Sequence, residues 1–341
     1  MFVVIALLSF PLGSAFATTE PTSYSYQQLG GAGTPEDPYT IWNCDQLNHV
    51  NVEPAASYKI TSDLYCYNYS ELQPINDFTG KTFDGGNQTI FNLRITDSNN
   101  NNVGLFRHIG ENSTVKNIRF YSDVNYGNTT SLLNTNNEST EELATGFLAG
   151  VNDGTIENIV IASTDYNSIT TVSSAGVTGG LVGINYGSIS RVDVTVRFDA
   201  KEGNNVIGGI VGRNSGAIHE TGSRIVLDST TFSPPVNDAV CGGIVGEQVD
   251  GSVSLSYTTG FIKCEGVNNN TGGLVGSTTG ESSITESFHD LTTLDYPLKG
   301  AIVGHNPDNI SLDTTFFAGP ETVCDDSGNV TCIREEDRAA F

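Results

Sequence analysis

The sequence predicts an all-β fold, a right-handed parallel β-helix (a solenoid) with a short N-terminal capping helix, and three observations predict it. A glycine-rich box, GGLVG or a close variant, returns about every 30 residues. Each box leads into a turn and then an alternating apolar run, the period of a strand. Helical periodicity is missing from residues 80 to 318. Such a period means stacked units, none of which buries its apolar face alone.

Residues 1–17, MFVVIALLSFPLGSAFA, read as a signal peptide, with an apolar run, Pro11, and Ala15 and Ala17 at the small-residue places of a cleavage site. The usual cationic start is missing, since no Lys or Arg precedes Lys59. Either the true start lies upstream or that element is dispensable here. Residues 18–33 read as a linker. No later apolar run approaches the roughly 18 residues a membrane span needs, so no transmembrane segment is expected in the mature chain. Residues 34–66 form the expected N-terminal cap and first coil. There Asn43 and Gln46 stand as N-cap and N3 of a short helix, which would cover an open strand edge.

Residues 67–318 carry the repeats, among them GFLAGVNDGTIENIVI from Gly146, GGLVGINYGSISRVDVTV from Gly179 and GGIVGRNSGAIHETGSRIVL from Gly208. In the box the aliphatic residues read as a short alternating strand. Its glycines are expected to supply positive φ and close backbone approach. Asn152 and Gly154, Asn185 and Gly187, and Asn214 and Gly216 follow as N-x-G turns tolerant of the left-handed conformation. Ile156, Ile189, Ile218 and Ile310 stand at one offset in the next strand. Parallel stacking would place Leu, Ile and Val in interior columns and let corner asparagines form a hydrogen-bonded ladder. Crossover handedness favours a right-handed coil.

The boxes GGLVG, GGIVG, GGIVG and GGLVG, each followed by a turn and an alternating run, resemble the GLUG motif. That repeat is found in secreted bacterial right-handed β-helix proteins, including adhesins and non-catalytic portions of some immunoglobulin-A-cleaving peptidases. The resemblance covers residues 100–318, and residues 31–50 resemble the segment that opens many such helices. It implies a secreted or cell-surface protein and names no reaction. Arg107 and Ala301 stand where the box expects glycine, so the outer coils should be irregular.

Composition excludes some partners. With 39 acidic against 15 basic residues the net charge is −24, which argues against nucleic acid and anionic membranes. Acidity leaves room for loosely held Ca²⁺, but no calcium-loop motif is present, and no other cofactor or metal site is expected. Six cysteines in an exported chain suggest disulfides, and spacing favours Cys44–Cys66, Cys241–Cys264 and Cys324–Cys332. The last pair lies in a tail, residues 319–341, whose closing IREEDRAAF reads as a helix start cut short, with a further module beyond Phe341.

The search for chemistry finds neither H-E-x-x-H nor G-x-S-x-G. A polysaccharide lyase or hydrolase would align acids along the stack. At one fixed offset after the box stand Val160, Asp193, Gly222, Ser256 and Glu286, so the acids skip. No catalytic residue is therefore assigned. Ice binding would need T-x-T in register, and the threonines cluster in loops. What remains is a non-catalytic, adhesin-like module for a glycan or surface protein, with polysaccharide degradation and a rigid spacer as alternatives. Tyr126, Tyr166 and Tyr186 are the candidate sugar-stacking residues, against the alternative of ordinary tyrosines at loop edges.

Overall fold

The computed structural model describes residues 29–67, 72–123, 131–134, 142–163, 170–173, 176–198, 206–228, 239–264, 270–294, 302–305, 312–313, 315–318 and 330–333. They form a right-handed parallel β-solenoid with one short helix. Among the described residues every strand ladder is parallel, and a single antiparallel bridge joins Gly30 to Thr40. The signal peptide, Tyr126, Tyr166, Ile310 and Cys324 lie outside the described residues.

One coil illustrates the rest. A box strand, Val177–Gly179, ends at a corner; Val182–Asn185 follows, then a turn, then the long strand Ser188–Phe198, which bends at Arg191. Stacking these segments gives a box sheet, a ladder sheet (through Val182–Asn185), a hydroxyl sheet (through residues 188–190) and a display sheet (through residues 192–198). The box is thus two strand ends around a corner, not one alternating strand. That is why neighbouring Leu181 and Val182 are both fully buried. Ile156, Ile189 and Ile218 do share an inner column, continued by Val253, Ile284 and Leu312; Leu312 holds the place expected for Ile310.

The glycines act through space rather than through φ. Gly179, Gly180 and Gly183 are absent from the left-handed region. A Cβ on Gly179 would sit 1.9 Å from the Val182 carbonyl, and one on Gly183 would sit 2.5 Å from the Thr145 nitrogen of the preceding coil. Close approach of backbone to backbone therefore explains the box, and positive φ does not. The N-x-G turns follow the same rule. A Cβ on Gly187 would lie 2.0 Å from the Gly154 carbonyl. Asn152, Asn185 and Asn214 are not left-handed but fully buried, and they form the expected ladder. Asn152 Nδ2 donates to Asn185 Oδ1 at 2.7 Å, Asn185 Nδ2 to Asn214 Oδ1 at 2.7 Å, and Asn214 Nδ2 to Gln248 Oε1 at 3.0 Å. Each amide also donates to the carbonyl two residues ahead, so no buried donor is wasted.

The left-handed positions lie elsewhere. Asn87, Asn117, Asn158, Arg191, Glu220, Leu255 and Glu286 form one column of positive φ, where the hydroxyl sheet turns into the display sheet. Asn158 Nδ2 donates to Asn117 Oδ1 at 2.7 Å along it.

At the N-terminus, Cys44–Asn51 is a 3-10 helix with the expected capping box: Gln46 N–H donates to Asn43 Oδ1 and Asn43 N–H to Gln46 Oε1. Asn48 and Asn51 accept from the N–H groups of Gln73 and Asn76, so the helix satisfies the edge of the ladder sheet. Disulfides Cys44–Cys66 and Cys241–Cys264 pair as expected. The core changes along the axis. Tyr58, Phe78, Phe83, Phe106, Phe120 and Phe147 fill the first coils, whereas Thr221, Ser223, Ser256, Thr258 and Ser287 are buried in the later ones.

Candidate functional site

The display sheet shows two outward columns. In the first, Thr89, Arg119, Val160, Asp193, Gly222, Tyr257 and Phe288 follow one another; in the second, Tyr65, Phe91, Tyr121, Ala162, Thr195, Arg224, Thr259 and Asp290. Parallel, in-register pairing creates these columns, because each strand places its outward residue one strand spacing from the last. Rings occupy both ends of the face. Tyr65 stacks on Phe91 with centroids 4.9 Å apart and planes 4° from parallel, and Phe91 meets Tyr121 edge-on at 5.8 Å. At the other end Tyr257 stacks on Phe288 at 5.6 Å and 15°. Tyr65 is 48% exposed, Tyr257 38% and Phe288 36%, so these rings face solvent in spite of their area.

Gly222 makes room for the second stack. A Cβ there would lie 2.4 Å from Tyr257 Cζ and 2.3 Å from Asp193 Oδ1. Without it, Tyr257 lies back along its column and donates its hydroxyl to Asp193 Oδ1 at 2.9 Å, two strands away. Burial, then this hydrogen bond and the Asp193 charge, push the Tyr257 phenol up to about 12. The ring is pinned at both its ends.

Of the tyrosines expected to stack on sugars, only Tyr186 is described. It projects from an N-x-G turn, 56% exposed, and belongs to none of the ring pairs among the described residues. The column Val160, Asp193, Gly222 was correctly aligned by counting from the box, but Tyr257 and Phe288 take the places assigned to Ser256 and Glu286. Ser256 points inward, fully buried, and Glu286 sits in the left-handed bend. On the hydroxyl sheet, Thr82, Thr114, Thr155 and Ser188 do form an outward column, contrary to the expectation that threonines cluster in loops. Its neighbour column, Asp84, Lys116 and Glu157, is charged and breaks any flat T-x-T array.

Several charged groups elsewhere are engaged with one another. Arg107 pairs with Asp97, Arg213 with Glu142 and Glu247, and His108 lies between Asp77 and Asp153. No group of three or more metal-ligating side chains is arranged to hold an ion among the described residues. No helix among them is long and apolar enough to cross a membrane.

No family model matches the chain. Halomucin of Haloquadratum walsbyi is 28% identical over 167 residues, which is 45% of this chain and 2% of that relative. This chain therefore spans a small fraction of the relative's length. Among solved structures, a proposed immunoglobulin A1 protease from Bacteroides ovatus is similar at TM-score 0.48 and 15% identity, over 90% of this chain and 80% of its own. A second, an IgA1 protease, gives TM-score 0.45 and 17% identity over 82% of this chain and 21% of its own. At this level of likeness the fold rests on the registers described above, and the GLUG resemblance rests on the boxes themselves.

Proposed function

We propose that this chain is an exported, non-catalytic, adhesin-like module that binds a glycan on its display sheet. The observation that carries the proposal is the pair of outward ring clusters on one sheet face, Tyr65 stacked on Phe91 with Tyr121 edge-on to it, and Tyr257 stacked on Phe288. Exposed aromatic area costs solubility and marks a surface meant to be covered. Flat rings held at strand spacing suit the apolar faces of successive sugars. Export is supported by the leader-like N-terminus and by two disulfides, which persist in oxidising compartments. The absence of catalysis is supported by the spread of the acids. Asp193 and Asp290 stand three strand spacings apart on this face and Asp63 lies just before its first strand, so no two of these three flank a common point as a glycosidase pair would.

The test incubates the purified chain with neutral and acidic polysaccharides, and scores retention and new reducing ends in the same tubes. Retention without release is expected, weakened about tenfold by Tyr257→Ala or Tyr121→Ala. Gly222→Ala should weaken it too, because the ring is displaced though still present. Release of reducing ends would make the chain a polysaccharide-degrading enzyme. No retention on any glycan would leave a protein-directed module or a spacer.

A further inference from the structure

Between the two ring stacks the display sheet carries small side chains. Val160 and Ala162 lie on one strand, Asp193 and Thr195 on the next, and Gly222 on the third. Four strand spacings, about 19 Å, separate the strand of Tyr121 from that of Tyr257. Tyr257 lies back over Gly222 as far as Asp193, so the trough left between the rings is floored by Val160, Ala162 and Thr195, with Asp193 at its edge. Arg119 stands at one end, two residues before Tyr121 and on the same outward face. Arg224 stands at the other, beyond Gly222 on the same strand. Both are exposed, and neither belongs to an ion pair among the described residues. That contrasts with Arg107, Arg191 and Arg213, each of which holds a carboxylate. In a chain with 39 acidic and 15 basic residues, arginines on an aromatic face with no carboxylate partner among the described residues point to one brought by a ligand. Asp193, the acid at the trough's edge, is already engaged by the Tyr257 hydroxyl.

We infer that the trough takes an acidic glycan, one bearing carboxylate or sulfate groups, laid along the solenoid axis. Its rings cover Tyr121 and Tyr257, and two of its anionic groups meet Arg119 and Arg224. Guanidinium suits both anions, since its planar fork donates two parallel hydrogen bonds to either. The inference rests on the glycan-binding reading and adds the charge class. A net charge of −24 repels polyanions in general, so retention of one reports a local site.

The experiment measures binding of the full chain to polygalacturonate and to its fully methyl-esterified form, and to dextran sulfate and dextran. The acidic member of at least one pair should bind about tenfold more tightly than its neutral partner, and Arg119→Gln with Arg224→Gln should remove that preference. Which pair responds distinguishes carboxylate from sulfate. The circular dichroism melt of the double variant should match the parent, because both side chains are exposed. Equal binding of acidic and neutral forms, sensitive to Tyr257→Ala, would overturn the acidic assignment and leave the glycan-binding reading intact. An acidic preference that survives the double arginine variant would overturn the placement in this trough. No binding to any of the four would sink both readings together.

Discussion

The coils before residue 163 and those after residue 217 share one backbone and its inner aliphatic columns, and differ in what fills the rest. Early coils pack rings: Phe83 meets Phe106 edge-on at 5.2 Å, and Phe120 meets Phe147 at 5.1 Å. They bend at Asn117 and Asn158, residues that tolerate the left-handed conformation. Late coils place hydroxyls inside, where Thr221 Oγ1 lies 3.0 Å from Ser256 Oγ and Ser287 Oγ accepts from Ser256 N–H at 3.1 Å. They bend at Glu220, Leu255 and Glu286. The backbone ladder is therefore the invariant, and side-chain chemistry can change from coil to coil provided each column stays satisfied. Stability should be concentrated at the aromatic end, because a buried ring removes far more apolar area from water than a buried hydroxyl does.

The largest expected effect tests that gradient. Phe106→Ala empties a fully buried site among rings and should cost about 3–5 kcal/mol, read as a shift of the urea midpoint. Ser256→Ala removes one link of the hydroxyl chain and should cost about 1 kcal/mol. Comparable losses at the two positions would abolish the proposed difference between the ends.

The disulfides sharpen the comparison. Their sequence separations are 22 and 23, so each should restrict the unfolded chain equally, by about 3 kcal/mol. Cys44→Ser with Cys66→Ser should lower the thermal midpoint about as much as Cys241→Ser with Cys264→Ser. A larger loss at the first pair would show that the cap helix, which satisfies the edge at Gln73 and Asn76, stabilises the stack beyond the cross-link itself.

Much of this architecture was legible in the residues, and the failures have a common cause. Inner columns could be counted because each box fixes the start of a coil, which put Ile156, Ile189 and Ile218 together. The ladder of Asn152, Asn185 and Asn214 was legible for the same reason, although its glycines turned out to be needed for space and not for φ. The display face was not legible. One residue is inserted near Val249–Gly251 and another in the next coil, so a fixed offset lands on Ser256 and Glu286 instead of Tyr257 and Phe288. Tyr65, Phe91 and Tyr121 precede the regular boxes and had no anchor from which to count. The left-handed column was hidden because asparagine marks it only at Asn87, Asn117 and Asn158 before arginine, glutamate and leucine take over.

Leucine in that column gives the smallest and most direct test. At Leu255 φ is 48°, a conformation that crowds the Cβ against the backbone and costs a branched or bulky residue roughly 1–2 kcal/mol. Its side chain is 45% exposed, so little burial compensates. Leu255→Asn should therefore stabilise the late coils by about 0.5–1 kcal/mol, seen as a rise in the urea midpoint at unchanged slope. The reverse change in the early coils, Asn158→Leu, should cost more than that gain, because it adds the same strain and also removes the 2.7 Å amide bond to Asn117. Should Leu255→Asn destabilise instead, the exposed leucine must be held by contacts that outweigh its strain. The two ends would then differ in how their bends are packed, and local backbone preference would have little part in it.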